Sequence, residues 1–240
     1  MEETKLYHCT DFESLFNILK SEAFWPSYCY ERTEYLNEPT NFAFAMVCFA
    51  DLLDVEVKTH LKKFKKNCFI QMNKEWAKNN GLSNVIYYNR ESVVSALFLC
   101  MINDIAERML HTHKEISNEV RFTSMMMAYF KQYEGYYWND KKNQWSQDKT
   151  QFYTEREWRY VPLVQNYEAF YLDPEEFHDK DFREKKRNEL IKHGYTLDFT
   201  WNDIESIGVH NKKQREFIID FLTNTCHHKP AEVKKKVRKI

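Results

Sequence analysis

Residues 153–162 read YTEREWRYVP and carry the side chains in this chain that are best suited to chemistry. We predict a strand over residues 152–164. Side chains alternate between the two faces of a strand, so Glu155, Glu157 and Arg159 should share one face. Two neighbouring carboxylates repel each other, and burying them is costly unless they are paired or used. Two interpretations therefore stay open: an ion-paired exposed face, or a site where one carboxylate contacts a hydroxyl-bearing or cationic ligand. The opposite face should carry Arg156, Trp158 and Tyr160.

Two segments near the start of the chain are further candidates. His8 ends a predicted strand over residues 4–9 and precedes a helix, and ligands often lie where strands end. A histidine there is also commonly a structural group. Residues 24–35 (FWPSYCYERTEY) are expected to form an aromatic turn. Its Tyr28 and Tyr30 could stack on a planar ring such as a base or a nicotinamide, or simply pack on the core.

Several classes of site are excluded by the residues that the chain lacks. It has only four glycines, and they are too far apart for a dinucleotide-binding or P-loop phosphate cradle. No serine has the glycines of a hydrolase elbow. The six cysteines form no C-x-x-C pair and are expected to be reduced thiols. No metal site is predicted, because the paired histidines lack zinc-ligand spacing: His111 with His113, and His227 with His228.

The elements that must position these residues mix strands and helices without regular alternation. The predicted strands cover residues 4–9, 42–50, 68–72, 84–88, 152–164, 197–200 and 204–209. Helices are predicted from a capping box at residues 10–13 to residue 21, then over 54–66, from Asn73 to before Gly81, and over 91–116, 120–133, 181–193 and 212–224. Residues 134–150 are expected to be a loop. This pattern favours an α+β fold.

Composition and charge set broader limits. The chain has 240 residues, of which 43% are hydrophobic and 30% charged, which is typical of a globular protein. No apolar run approaches the length of about 20 residues that a membrane span needs. The first residues have no signal-peptide pattern, so we expect a cytoplasmic protein. Residues 230–240 hold five basic residues and one Glu. We expect a frayed solubilising tail there, with contact to RNA or an acidic partner as the alternative.

Several segments together resemble the AbiGi family of bacterial abortive-infection proteins. They are LYHCT…SLFNILKSEAFWPSYCYE, VCFADLLDVEVKTHLKKF, KEWAKNNGLSNVIYY, FYTEREWRYVP and DIESIGV…FIIDFL, which span most of residues 5–225 in the family's order. The resemblance implies a role in phage resistance. This family is named as the antitoxin half of a two-gene system, so the resemblance also implies a partner toxin.

A wider resemblance is to ADP-ribosyltransferases of the His-Tyr-Glu kind. It rests on a strand with H-x-T, a helix with L-x-x-I-L, a turn with Ser and Tyr, and a late strand with Glu. It implies that His8 and Thr10 hold the adenosine-side ribose of NAD, that Tyr28 or Tyr30 stacks on nicotinamide, and that Glu157 grips the nicotinamide ribose. Residues that would support NAD binding are Glu155 and Arg159.

The resemblances together give these expectations. Residues 1–228 should form one α+β domain with a bent or split mixed sheet flanked by helices, like an ADP-ribosyltransferase, followed by a basic tail at 229–240. The chain would use NAD to modify a nucleic acid or protein, with His8, Tyr28 and Glu157 as catalytic residues. The carboxylate would stabilise positive charge developing on the sugar. One alternative is a catalytically inactive antitoxin that binds a nucleotidyltransferase-type toxin. Another is a nucleotide-binding sensor.

Overall fold

The computed structural model describes residues 3–35, 38–111, 122, 125–139, 142–164 and 170–240. Its strands are β1 Lys5–Thr10, β2 Ala23–Phe24, β3 Ser27–Tyr35, β4 Glu38–Leu52, β5 Cys68–Met72, β6 Ser83–Asn84, β7 Ile86–Tyr88, β8 Phe130–Gln132, β9 Glu134–Gly135, β10 Trp138–Asn139, β11 Gln144–Trp145, β12 Thr150–Gln151, β13 Trp158–Tyr160, β14 Tyr171–Leu172, β15 Leu197–Asp198, β16 Ile204–Val209 and β17 Val237–Lys239. Its helices are α1 Phe12–Ser21, α2 Val57–Lys63, α3 Lys74–Asn79, α4 Val93–His111, α5 Pro174–His178, α6 Lys180–Lys192, α7 Lys212–Asp220 and α8 Pro230–Lys236. The described residues confirm a mixed α+β fold. None of their helices is both long and apolar enough to cross a bilayer.

One sheet of nine strands organises the described part of the chain. Seven strands follow the order β17-β16-β5-β1-β4-β13-β6, and β3 and β14 also pair with β4. Most of these pairs are antiparallel, whereas β16 and β17 are parallel. Gly208 is required where β16 pairs with β5, because a Cβ there would lie 2.2 Å from the ring of Phe69, the residue opposite it. Because it contains both parallel and antiparallel pairs, the sheet is mixed, as expected from the sequence.

Strand β4 connects two parts of the sheet and curves strongly between them. Its first part pairs with β3, where Cys29 lies opposite Phe44. Its second part pairs with β13 and β1. Four residues of strand span about 13 Å, yet the Sγ atoms of Cys29 and Cys48 are 3.8 Å apart. A flat strand could not bring these thiols together, so β4 bends and folds the sheet around a concave surface.

The first helix begins one residue later than the sequence pattern suggested. Thr10 was expected to cap it, but Thr10 is the last residue of β1. The cap is Asp11, whose carboxylate accepts a hydrogen bond from the backbone N–H of Ser14 at 2.9 Å. The helix ends at Ser21, and the next residue, Glu22, caps it in a left-handed conformation with φ of 51°.

Two predicted segments have a different structure. The expected aromatic turn at 24–35 is mostly β3, which pairs with β4 from Ser27 to Tyr35. The predicted strand at 152–164 is a 3₁₀ turn over Phe152–Glu155 followed by the short β13. Arg156, with φ of 45°, breaks the strand between them. Long-range pairing with β4 decides both outcomes, and no local pattern contains it.

The C-terminal residues are also more ordered than expected. Residues 230–240 of the basic tail were expected to be frayed, but α8 and β17 lie there. Val233 and Val237 are buried in the main core, and β17 extends the sheet beside β16. Burial of these two apolar side chains explains why the segment packs despite its positive charge.

The remaining helix predictions are only partly matched. The helix expected over 91–116 is α4 as far as His111, and the residues beyond it to 121 lie outside the described part. The helix expected over 120–133 does not extend to its predicted end. Strand β8 begins at Phe130 and pairs in parallel with β7. That short strand brings Lys131 to the concave side of the sheet, where it matters for the site.

Candidate functional site

A cavity of about 590 Å³ opens on the concave side of the bent sheet. Its size is typical of small-molecule sites. All six residues 27–32 of β3 line it. Alternate side chains point to opposite faces of a strand, so the cavity must border the edge of β3 and not only one face. Other lining residues come from β1, β4, β8 and the 3₁₀ turn, among them Cys9, Cys48, Lys131, Phe152 and Glu155.

Aromatic rings form one wall of this cavity. Tyr30 and Phe177 stack with their ring centres 4.4 Å apart and their planes within 4°. Trp138 meets Tyr30 edge-on, with the ring centres 5.2 Å apart. Phe152 lies under the ammonium of Lys131, which is 4.6 Å from its ring centre. The outer faces of the stacked pair are covered by Trp145 on Tyr30 and by Arg183 on Phe177, so these rings form a packed wall.

A buried charged cluster lies at the inner end of the cavity and consists of Glu31, Lys131, Glu155, Glu157 and Arg159. The Nζ of Lys131 lies 2.6 Å from Oε2 of Glu157 and 3.6 Å from Oε2 of Glu155. The Nε of Arg159 donates to Oε1 of Glu157 at 2.8 Å. Arg159 also pairs with Glu31 and donates to the carbonyl of Ala128. Three carboxylates thus share two cations.

Glu157 is the most tightly held member of this charged cluster. Each of its carboxylate oxygens contacts a cation, Oε1 from Arg159 and Oε2 from Lys131. Its backbone is held too, because its N–H donates to the Tyr87 hydroxyl and its carbonyl accepts from Val85. Burial alone would raise the pKa of Glu157, but the two cations hold it well below the usual range. Glu157 therefore stays ionised and anchors the cluster.

Glu155 differs from Glu157 in both contacts and charge. It is 8% exposed, and its Oε1 has no hydrogen-bond partner among the described residues. Burial raises the pKa of Glu155 above its ordinary value despite the opposing effect of Lys131. A buried polar oxygen without a partner is costly. Glu155 is therefore the carboxyl group that is available to a ligand in the cavity.

Three further titratable groups on the cavity wall, His60, Cys9 and Cys48, are neutral near pH 7. Burial lowers the pKa of His60 to about 4, with a further contribution from Lys63. Burial also raises the pKa of the Cys9 thiol to about 12. A hydrogen bond with Cys29 and burial together raise the pKa of Cys48 well above its usual value. These thiols are poor nucleophiles, because the reactive form is the thiolate.

The structure separates the predicted site residues into two groups. Tyr28, Tyr30, Glu155 and Glu157 all line the cavity. Arg159 lies directly behind Glu157 and is fully buried. Their catalytic and NAD-binding roles stay predictions. Arg156 was expected on the face opposite to Glu155, Glu157 and Arg159, and it does point away from them. It donates to the carbonyl of Asp51 and pairs with Glu56.

His8 and Thr10 are not on the cavity side. They alternate along β1 with Tyr7 and Cys9, which line the cavity, so they face the other way. The ring of His8 packs against Phe24 at 5.0 Å, and its Nδ1 donates to the carbonyl of Cys48 at 2.9 Å. Burial lowers the pKa of His8 to about 4. The expected grouping of His8 with Glu157 in one cleft is therefore absent.

Sequence reasoning missed two members of the charged cluster. Lys131 was expected on a helix, and Glu31 in a turn, so neither was connected to Glu157. Both reach the cluster through strand pairing with distant residues, Lys131 beside Tyr87 and Glu31 beside Phe42. The only sequence signal for them was indirect, because two carboxylates sharing a buried face need cations. Among the described residues no group of His, Cys, Asp or Glu could hold a metal ion.

Comparison with known proteins gives two matches. A family model described as "Putative abortive phage resistance protein AbiGi, antitoxin" matches residues 22–210. A protein of Lactococcus lactis subsp. cremoris named "Abortive phage resistance protein AbiGi" is 24% identical over an alignment of 228 residues, and the match covers 83% of this chain and 87% of the relative. No solved structure matches the chain.

Proposed function

The chain belongs to the AbiGi family of abortive phage resistance proteins, and on that premise we propose that it is an antitoxin that binds and neutralises a partner toxin. The family description names an antitoxin, and the relative's name refers to phage resistance. The proposal adds that the chain acts by binding its partner and not by transferring ADP-ribose.

The observation that carries this proposal is the state of Glu157. ADP-ribosyl transfer would need this carboxylate to grip a ribose hydroxyl. Both of its oxygens are instead occupied by Arg159 and Lys131, at 2.8 and 2.6 Å. Charge-assisted hydrogen bonds of this length are strong, and they fix both oxygens of the carboxylate in place. Glu157 is thus better suited to stabilising the fold than to catalysis.

The position of His8 supports the same conclusion. It lies on the face of the sheet opposite to Glu157, among the rings of Phe24 and Phe49. Its side chain would have to pass through the sheet to reach a ligand that contacts Glu157. NAD-dependent transfer, the other function that the resemblance implies, is therefore less well supported by the geometry.

Partner binding needs an exposed surface, and we place it at a patch formed by Tyr87, Tyr133 and Tyr153. Tyr133 and Tyr153 stack with ring centres 5.3 Å apart and are 41% and 52% exposed. Tyr87 meets Tyr153 edge-on at 5.5 Å and accepts the hydrogen bond from Glu157. Exposed tyrosines often dominate protein interfaces, because they bury much area at low entropic cost. In this proposal the buried charged cluster holds the tyrosine patch in place.

Growth of a bacterial host tests the proposed function. The partner gene of the two-gene system is induced alone, with this chain, and with the chain carrying Tyr153→Ala. We expect arrest in the first case, growth in the second and partial arrest in the third. Phe217→Ala is a matched control, because Phe217 is 49% exposed but packs against α1 elsewhere. If the chain alone stops growth and Glu157→Gln relieves it, the antitoxin proposal is wrong.

A further inference from the structure

Basic residues collect at one end of the nine-stranded sheet. The path of the sheet begins with β17, which pairs in parallel with β16. In this pairing Lys239 lies opposite Val209, three residues before α7 begins at Lys212. Residues 234–239 and the first turn of α7 are distant in sequence, and strand pairing makes them neighbours.

Arg215 connects α7 to the end of α8. Its Nε donates to the carbonyl of Val237 at 3.0 Å, and its Nη2 donates to the carbonyl of Lys234 at 3.3 Å. Lys212 precedes Arg215 by three positions, so both residues lie on the same side of the helix. The side of α7 that carries Lys212 is therefore next to the segment that carries Lys234.

Lys239 lies on the face of the sheet that α7 covers. Alternation along β17 places it on the same face as Val237, which belongs to the main core together with Ile218 of α7. Arg238 points to the opposite face, where its guanidinium lies 5.1 Å from the ring centre of Phe69. Arg238 therefore does not belong to the surface beside α7.

The resulting surface, which we call the basic edge, has a large excess of positive charge. It consists of Lys212, Arg215, Lys234, Lys235 and Lys239. All four lysines are exposed, and Arg215 is half-buried. Lys212 pairs with Glu216 at 3.6 Å, whereas the other three lysines have no carboxylate partner in the part of the chain that the structure describes. With Glu216 included, the side chains of the basic edge carry a charge of +4, on a chain whose net charge is −1.

The fold holds these charges in fixed positions. Burial of Val233 and Val237 anchors α8 and β17 on the core. The first turn of α7 contains Lys212 and Lys213 and no acidic residue, although the N-terminus of a helix favours negative charge. The helix dipole therefore adds to the positive potential of the basic edge, and no acidic side chain in that turn offsets it.

The chemistry of the basic edge favours phosphates over a protein partner. Lysine is depleted in protein interfaces, whose binding energy comes mainly from buried aromatic and apolar side chains. Residues 234–239 expose only basic side chains, since Val237 is buried. The phosphate backbone of a nucleic acid, in contrast, is held mainly by lysine and arginine. Residues 229–240 contain no aromatic ring on which an unpaired base could stack, so a duplex fits better than a single strand.

We propose that the basic edge binds the phosphate backbone of a nucleic acid duplex without reading its base sequence. The tyrosine patch lies near the other end of the path of the sheet, because that path ends with β6 and Tyr87 follows β6 by three residues. The duplex and the toxin therefore occupy different surfaces. The nucleic acid proposal does not rest on toxin binding, and each of the two can fail without the other.

Fluorescence anisotropy of the purified full-length chain tests the basic edge. The probes are labelled duplexes of about 20 base pairs, one DNA and one RNA, each in two unrelated sequences. We expect a dissociation constant of about 1–10 μM for at least one of the two nucleic acids at about 50 mM salt, and the same value within about twofold for its two sequences. Four phosphate contacts give a decrease in affinity of about 100-fold between about 50 and 200 mM salt.

A triple variant with Lys234→Ala, Lys235→Ala and Lys239→Ala identifies the surface. It should weaken duplex binding by at least about tenfold at about 50 mM salt and should flatten the dependence on salt. Arginine at the same three positions should keep the binding, because it keeps the charge. The matched control removes three exposed lysines from α6, which contacts the residue before β3, and should change the affinity by less than about twofold. Its substitutions are Lys180→Ala, Lys185→Ala and Lys192→Ala.

Three results would overturn the nucleic acid proposal. The first is no change in anisotropy with any duplex at about 100 μM protein and about 50 mM salt. The second is an equal loss of binding in the alanine variant and the α6 control, which would mean that only the net charge matters. The third is polyglutamate that displaces the duplex at an equal concentration of charge, which would identify the basic edge as a site for an acidic protein segment. Melting curves show that each variant is folded, and alanine is well tolerated at exposed helical positions.

Discussion

Replacing Glu157 with Gln should strongly destabilise the protein. The substitution keeps the shape of the side chain but removes its charge. It leaves Arg159, fully buried, and Lys131, 15% exposed, without their shared anion. The amide –NH₂ of Gln would also face either Arg159 or Lys131, and neither cation can accept a hydrogen bond from it. The account of Glu157 as the anchor of the charged cluster therefore predicts a loss of stability before any loss of chemistry.

The magnitude follows from the burial of the pairs. Removing one partner of a buried ion pair costs about 3–5 kcal/mol. A chain of this size changes its melting temperature by about 2–4 °C for each kcal/mol, which gives a decrease of about 6–20 °C. Glu31 and Glu155 remain beside the two cations and offset part of the loss. We therefore expect a value in the lower half of that range.

Glu155→Gln is the matched control, because it removes a carboxylate from the same charged cluster. Burial raises the pKa of Glu155, so its ionised form is already disfavoured in the folded state. Its Oε1 has no partner to lose among the described residues. We expect its melting temperature to stay within about 4 °C of the wild type. Differential scanning calorimetry of the three proteins at pH 7 measures both values.

The contrast between the two variants is what tests the reasoning. Equal decreases would mean that the cluster responds only to its total charge and that Glu157 has no special position. A stable Glu157→Gln variant would show that Arg159 and Lys131 do not depend on this carboxylate. Either result would remove the main structural argument against a catalytic role for Glu157.

Other predictions concern pH, the C-terminus and the interface. The pKa values of His8 and His60 are lowered to about 4 by burial, so the folded state binds fewer protons than the unfolded chain, where histidine titrates near about 6.5. Stability should therefore have its full value above about pH 6.5 and fall on acidification. Between pH 6.5 and 5 the loss should be at most about 2 kcal/mol for each histidine. In urea titrations His60→Gln should reduce this loss. A steady urea midpoint over that range would contradict the assignment. Deleting residues 229–240 removes two buried valines and an edge strand, so it should lower the melting temperature by at least about 5 °C; an unchanged value would show that the segment is dispensable. In pull-down assays Tyr153→Ala should weaken toxin capture by about tenfold and Phe217→Ala should not; equal capture would place the interface elsewhere.

Sequence patterns predicted the parts of the fold that depend on local spacing. The central strand β5 and the late strand β16 have the predicted bounds, and α1 ends where predicted, at Ser21. The strand β3 was missed because its turn-forming and aromatic residues gave no clear alternation. Its structure depends on nine paired residues of β4, which lie up to 19 positions away. The packing of residues 230–239 was missed because this segment contains five basic residues and only two valines that are buried, so its composition resembled that of a solvated tail.

The sequence predicted several residues of the candidate site but not the contacts between them. The grouping of Glu155, Glu157 and Arg159 on one side came from simple alternation, and it survives although the 3₁₀ turn interrupts the strand. Which carboxylate keeps an oxygen without a hydrogen-bond partner could not be predicted. The answer depends on Lys131, whose strand pairs with Tyr87 more than 40 residues earlier. His8 was placed in the site by resemblance, and its position in β1 turns it toward the opposite face.

Titration of the purified partner toxin into the purified chain, followed by calorimetry, tests the central claim most directly. The account predicts saturable binding with a submicromolar dissociation constant, or about −8 kcal/mol or better, and weaker binding by Tyr153→Ala. The same preparation should release no nicotinamide from NAD. Absence of binding, together with nicotinamide release that Glu157→Gln abolishes, would contradict the account and identify the chain as an NAD-using enzyme.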